Sequence, residues 1–271
     1  PGGNGAGDRH RGMWTKLWNW HRGEPFAVTS ATALPAPETL RQLRDGDPEQ
    51  RMAAADNLGV TSASDEVLSA LREALRDEAE PVRLNAAYAL AAIGTPALEI
   101  LLDCLDDDME PARLSAAYGL SAMGPEAEPS LVRACRDKSE SRRGFATFAL
   151  GELGAAVSAR GAAAVASLTE DSAEFVRRNA ADALGTIPSR SRKVIPALTR
   201  LLADDSAQVR FDAAYALARH GRAARPATDA LVAALGDDNR YVRNHTIEAL
   251  KRIGTPQATA ALFDFLEVSR W

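Results

Sequence analysis

The sequence predicts an all-α solenoid of about seven helix pairs plus a terminal helix, and three observations carry that prediction. Arginines recur at Arg51, Arg83, Arg113, Arg143, Arg177, Arg210 and Arg243, in steps of 32, 30, 30, 34, 33 and 33 residues. A leucine follows each by seven positions: Leu58, Leu90, Leu120, Leu150, Leu184, Leu217 and Leu250. Small residues usually stand three and four positions after the arginine, as in Ala86–Ala87, Ala116–Ala117, Ala180–Ala181 and Ala213–Ala214. Self-similarity at this period marks an array in which each unit buries its apolar side only against its neighbours.

Taken in order, residues 1–37 stand apart from the repeat. Pro1–Gly7 is glycine-rich, and Trp14, Trp18 and Trp20 follow within seven residues and share one face if the segment is extended. Residues 24–37 read as a Pro- and Ala-containing linker. The array is expected over 38–271, because Leu43 already lies eight residues before Arg51, as Leu75, Leu105, Leu202 and Leu235 lie before their arginines.

The first helix of each pair is short, as over 65–77, 96–106, 127–136, 192–203 and 225–236. The second carries the arginine. At 100° per residue, positions −1, +3, +4, +7 and +10 from the arginine fall on one side and are apolar, as in Val82, Ala86, Ala87, Leu90 and Ile93. Pro81 and Pro111 sit near first turns behind acidic residues, which suit the positive end of a helix dipole. Gly59, Gly94, Gly124, Gly154, Gly221 and Gly254 follow the last apolar position, where left-handed caps are expected. The fifth repeat departs from the pattern: Gly161 lies in its first helix and Ile187-Pro188 ends its second, so a bend or a basic loop (Arg190, Arg192, Lys193) is expected there. A lone helix over 256–268 closes the array.

Composition narrows the function. Of 271 residues, 25% are charged and 46% hydrophobic, with a net charge of −5. That balance argues against a broad nucleic-acid surface, which needs excess Lys and Arg. No apolar run is long enough to span a membrane, and no signal-peptide pattern is present, so a cytoplasmic location is expected. The chain begins at Pro1 rather than Met, which reads as a fragment or a processed product. Two cysteines, Cys104 and Cys135, exclude a disulfide framework and fall at core positions of the repeat. No cofactor is expected.

The unit Val82-Arg83…Ala86-Ala87-Tyr88-Ala89-Leu90…Ile93-Gly94, echoed by Val209-Arg210…Ala213-Ala214-Tyr215-Ala216-Leu217, resembles the HEAT-like repeat of the phycobilisome-lyase type. The resemblance covers residues 38–271 and implies the solenoid fold. Such arrays serve as scaffolds, as lyase partners and as one metalloenzyme, so the resemblance leaves function open. That metalloenzyme, deoxyhypusine hydroxylase, places His-Glu pairs one and two residues after the repeat arginine. Here those places hold Leu84-Asn85, Leu114-Ser115, Gly144-Phe145, Arg178-Asn179, Phe211-Asp212 and Asn244-His245, and its dinuclear site is rejected. A bilin lyase or chaperone subunit is a further alternative that no residue singles out.

Positions +1, +2 and +5 lie opposite the buried stripe and are expected to line the concave face. Position +5 supplies Tyr88, Tyr118, Phe148 and Tyr215, interrupted by Asp182 and preceded by Asp56; positions +1 and +2 add Asn85, Ser115, Phe145, Asn179, Phe211, Asp212 and His245. Two readings stay open for this ladder. It is a strip that grips a protein or peptide, or its rings pack on neighbouring backbone and seal the surface. The repeat arginine is expected to be partly buried, bonding acidic or carbonyl groups of the neighbouring repeat. His220 ends a helix, where its charge would suit the dipole.

Gly2-Gly3-Asn4…Arg11 resembles the end of a phytanoyl-CoA-dioxygenase-type domain, in which an arginine pairs with the 2-oxoglutarate carboxylate. The resemblance implies that role for Arg11, but the iron-ligating His and the His-x-Asp are not in the sequence. The expected function is therefore a non-catalytic protein- or peptide-binding scaffold. The alternative is the carboxy-terminal part of an iron/2-oxoglutarate oxygenase whose repeats recruit substrate.

Overall fold

Each repeat period becomes a helix pair, because its two apolar stripes are both too narrow to be buried alone and close against each other and the next pair. The computed structural model describes residues 36–188 and 192–268; the Trp-rich segment with Arg11, and Arg190 of the basic loop, lie outside them. Among the described residues there are fifteen α-helices and no strand.

The pairs are α1 (Ala36–Asp45) with α2 (Pro48–Leu58), α3 (Asp65–Ala74) with α4 (Glu80–Ile93), and α5 (Thr95–Cys104) with α6 (Glu110–Ala122). Then follow α7 (Glu128–Ala134) with α8 (Glu140–Leu153), α9 (Ala159–Ser167) with α10 (Glu174–Thr186), α11 (Val194–Leu201) with α12 (Ala207–His220), and α13 (Thr228–Ala234) with α14 (Arg240–Ile253). The unpaired α15 (Pro256–Val268) closes the array.

The arginine-bearing helices α2, α4, α6, α8, α10, α12 and α14 pack each against the next. The shorter helices form a second row behind them, α1, α3, α5, α7, α9 and α11 in succession. The seven leucines at position +7 are all fully buried between the rows, each stabilising the array by roughly 1.5–3 kcal/mol. Small residues set the spacing of the arginine row. A Cβ on Gly151 would lie 2.8 Å from the Ala183 methyl and 2.9 Å from its Cα, and one on Gly119 would lie 2.9 Å from the Ala87 carbonyl oxygen.

Starts and stops follow local chemistry. Asp47 caps α2 in a reciprocal box with Gln50, and Ser64, Ser139, Ser158, Ser206 and Asn239 cap five later helices through their side chains. Five of the six expected cap glycines have positive φ. Gly59 does not: its φ is −62°, in the right-handed region, and a Cβ there would meet the Cα of Ala89 at 2.8 Å. The position needs a small residue for close approach, and the cap expectation is corrected.

The fifth repeat's irregularity has two sources. A Cβ on Gly161 would lie 2.5 Å from the carboxylate of buried Glu128, which accepts the backbone N–H of Ser158 and of Gly161 and the hydroxyl of Ser158. Glu128 on α7 thus caps α9 of the next repeat. The second source is Ile187, which is extended (φ −71°, ψ 128°) and ends α10 before Pro188. Arg192 and Lys193 are exposed ahead of α11.

Candidate functional site

The arginines form the first layer of the site. Each sits in the first turn of its helix and donates Nη1–H to carbonyls of the turn just before that helix. Arg143, for example, bonds the oxygens of Asp137 and Lys138, both at 2.9 Å. The same contact recurs at Arg83, Arg113, Arg177, Arg210 and Arg243. The expectation that the carbonyls belong to the neighbouring repeat is corrected: they belong to the arginine's own repeat, since a first-turn side chain folds back on its entry loop.

The remaining fork, Nε–H and Nη2–H, reaches forward. It grips Asp77 from Arg51, Asp171 from Arg143, Asp204 from Arg177 and Asp237 from Arg210, with Nε to carboxylate oxygen at 2.7 Å in all four. These pairs are largely buried and bidentate, the strong form of the interaction. Bonding to the carboxylates raises all four guanidinium pKa values. Burial alone would push Asp171, Asp204 and Asp237 up. Their arginines and the backbone N–H groups of Ala173, Ser206 and Asn239 outweigh it, and all three end below the ordinary carboxylate value.

Arg83 and Arg113 break this pattern. Their Nε atoms are shut off from solvent and have no hydrogen-bond partner. Neither aspartate of the matching turns reaches its arginine: Asp107 holds Arg76 at 2.9 Å, and Asp137 lies 3.9 Å from Arg142 while keeping the same backbone contact, to the N–H of Ser139, that the clamped aspartates make. Chain length separates the two groups. Closed pairs span 26, 28, 27 and 27 residues, whereas 24 residues separate Arg83 from Asp107 and Arg113 from Asp137.

The predicted aromatic strip lies on the same row of helices as two clusters. Tyr118 and Phe148 meet edge to face at 5.2 Å, with Tyr88 half-buried on the helix before them. Burial first, then Tyr118 and Glu152, hold the Tyr88 hydroxyl well above its ordinary pKa. Farther along, the His245 ring lies 4.7 Å from Phe211 and 5.2 Å from Tyr215. Tyr215 remains 43% exposed. Asp212, next to Phe211 in sequence, pairs with Arg178 at 3.0 Å; burial raises its pKa and Arg178 opposes. Asp182 and half-buried Asn179 on α10 stand between the clusters. Asn85 is tied inward, donating Nδ2–H to the Met52 carbonyl at 3.3 Å.

Three features escape the residue pattern. The expectation that Ser115 and Phe145 line the open face is corrected: both are buried, and Phe145 packs against Phe175 at 5.4 Å with the Arg113 guanidinium 5.4 Å from its ring centre. Gly144 permits this, since a Cβ there would strike the Phe175 ring at 2.2 Å. The pair Gly144–Phe175 is the sequence signal, visible only once α8 and α10 are known to touch. His220 is the third. Its Nε2 lies 2.8 Å from the Leu184 carbonyl, and burial lowers its pKa. The expected dipole-stabilised charge is corrected to a neutral imidazole, because desolvation outweighs the helix end.

Burial pushes the Cys135 thiol up to about 12 and the Cys104 thiol up to about 11, so both behave as core residues. Among the described residues no three His, Cys, Asp or Glu side chains are grouped to hold a metal ion, and no helix is long and apolar enough to cross a membrane.

The profile of the HEAT-repeat family matches residues 36–121, 128–218 and 208–271. No curated protein matches the chain in sequence. Among solved structures, the Escherichia coli protein YibA is similar at 20% identity and a TM-score of 0.51, over 86% of this chain and 87% of that one. The structure of the CpcE–CpcF complex of phycocyanin lyase from Nostoc sp. PCC7120 is similar at 21% identity and a TM-score of 0.51, over 56% of this chain and 97% of that one. Human deoxyhypusine hydroxylase in complex with glycerol aligns at 23% identity and a TM-score of 0.40, over 90% of each chain.

Proposed function

The chain belongs to the HEAT-repeat family, and from that premise we propose that it is a non-catalytic scaffold gripping a protein or peptide along its arginine-helix row, the concave side of the array. The observation that carries this reading is the gathering of rings from successive helices of one row: Tyr118 against Phe148, with Tyr88 on the helix before them, and Phe211 and Tyr215 against His245. Tyrosine offers a large, rigid contact with a polar tip at small entropic cost. Asp212 with Arg178, and Asn179, add polar groups beside the rings.

The test is the triple variant Tyr88→Ala, Tyr118→Ala, Tyr215→Ala in a pull-down from native lysate. The reading expects loss of the captured partner with far-UV helicity unchanged. Loss of helicity instead would mean that the rings serve packing, and the scaffold reading of this strip would fall.

A further inference from the structure

We propose that Arg113, with Arg83 one repeat earlier, forms a binding site for aspartate side chains of an acidic partner segment. The site uses none of the strip residues assigned above. Its argument is an internal comparison: four arginines at the same repeat position clamp an aspartate carboxylate between Nε and Nη2, each with Nε at 2.7 Å. Arg83 and Arg113 present the same fork in the same turn, anchored by the same Nη1 contacts to loop carbonyls, and no carboxylate of the described residues enters it. A buried donor without an acceptor costs roughly 1–3 kcal/mol, and an entering carboxylate removes that cost.

The surroundings of Arg113 are built to admit one. Arg113 lines a cavity of about 210 Å³ with Phe145, Phe175, Ser141, Glu110 and Glu140. The Phe145 ring centre lies 5.4 Å from the Arg113 guanidinium carbon, a cation–π contact that steadies the cation. Phe175, 40% exposed, forms the outer wall between the Arg113 fork and solvent, and a ligand reaches the fork by displacing it. Two glutamates at the rim do not forbid an anion. Arg143 clamps Asp171 while Glu140 and Asp137 act on the same guanidinium, and Arg177 clamps Asp204 beside Glu174.

The two forks also fix the spacing of the ligand. Neighbouring helices pack about 10 Å apart, and three residues of a polyproline II chain advance about 9 Å and return the side chain to the same face. The matching partner is a polyproline II segment with aspartates three residues apart.

The probe is a fluorescein-labelled Ser-Gly-Asp-Ser-Gly-Asp-Ser-Gly peptide, followed by anisotropy against the full chain, with the Asn-for-Asp peptide as its control. The expected result is at least about tenfold weaker binding of the Asn peptide, and a loss of similar size for Arg113→Lys, because a lysine lacks the fork. The triple tyrosine variant should bind the probe as the parent does, which separates failure of this site from failure of the strip. Should Arg113→Lys not fold, nitrogen-resolved NMR of the parent decides. The Nε–H signals of Arg83 and Arg113 should move on titration while those of Arg143, Arg177 and Arg210 stay. Equal binding of the two peptides, or unmoved Arg83 and Arg113 signals, overturns the proposal.

Discussion

The repeats that carry Arg83 and Arg113 and those that carry Arg143, Arg177 and Arg210 share a residue pattern but use the arginine differently. In the later group the guanidinium clamps an aspartate of the next turn. In the earlier pair it holds only its own entry loop and keeps a buried Nε without an acceptor. The aspartate is present in every turn, so its presence does not decide the outcome. Length does: 24 residues from arginine to aspartate leave the fork open, and 27 or 28 close it. A repeat array can therefore vary the chemistry of one face without changing its core, because the position +7 leucines stay buried in both groups.

The largest effect expected from this difference is on stability. Asp171→Asn removes the charge that Arg143 clamps and should cost about 2–3 kcal/mol in urea denaturation. Asp137→Asn, in a turn whose forward arginine contact is not made, should cost less than about 1 kcal/mol. Equal costs would mean that the two groups of repeats do not differ energetically.

A smaller effect lies in pH. Asp171, Asp204 and Asp237 all fall below their ordinary 3.8 in the folded chain. Between the folded values and 3.8 the unfolded chain binds more protons, so this stability is present above 3.8 and lost as pH falls through the folded values. His220 lies below its ordinary 6.5. Folding therefore disfavours its protonation, and its contribution is complete above 6.5 and declines as pH falls toward the folded value. Hydrogen exchange should show α12 losing protection first below 6.5, a step that His220→Gln removes, with α8, α10 and α14 following below 3.8. Protection that is flat through both windows would contradict these assignments.

Much of this was legible in the residues. The period of Arg and Leu located every helix pair, and the alanine stripe announced which helices lie side by side. Pro81 and Pro111, behind acidic residues, mark the starts of α4 and α6. What escaped depends on contacts between repeats. Gly59 reads as a cap by position, yet it keeps right-handed geometry and serves close approach to Ala89. His220 reads as a helix-end charge suited to the dipole until Leu184 of the neighbouring helix is placed over it. The 30-residue steps were visible as a shorter period, but only a three-dimensional path shows that they move an aspartate out of an arginine's reach. Phe145 and Phe175 stand thirty residues apart and belong to no shared motif.

The division of the arginines into closed and open forks is tested most directly by the exchange rates of their Nε protons, read by nitrogen-resolved NMR in the free chain. The account predicts slow exchange at Arg51, Arg143, Arg177 and Arg210, and exchange at least about tenfold faster at Arg83 and Arg113, the factor a charge-assisted hydrogen bond provides. Six indistinguishable rates would contradict it.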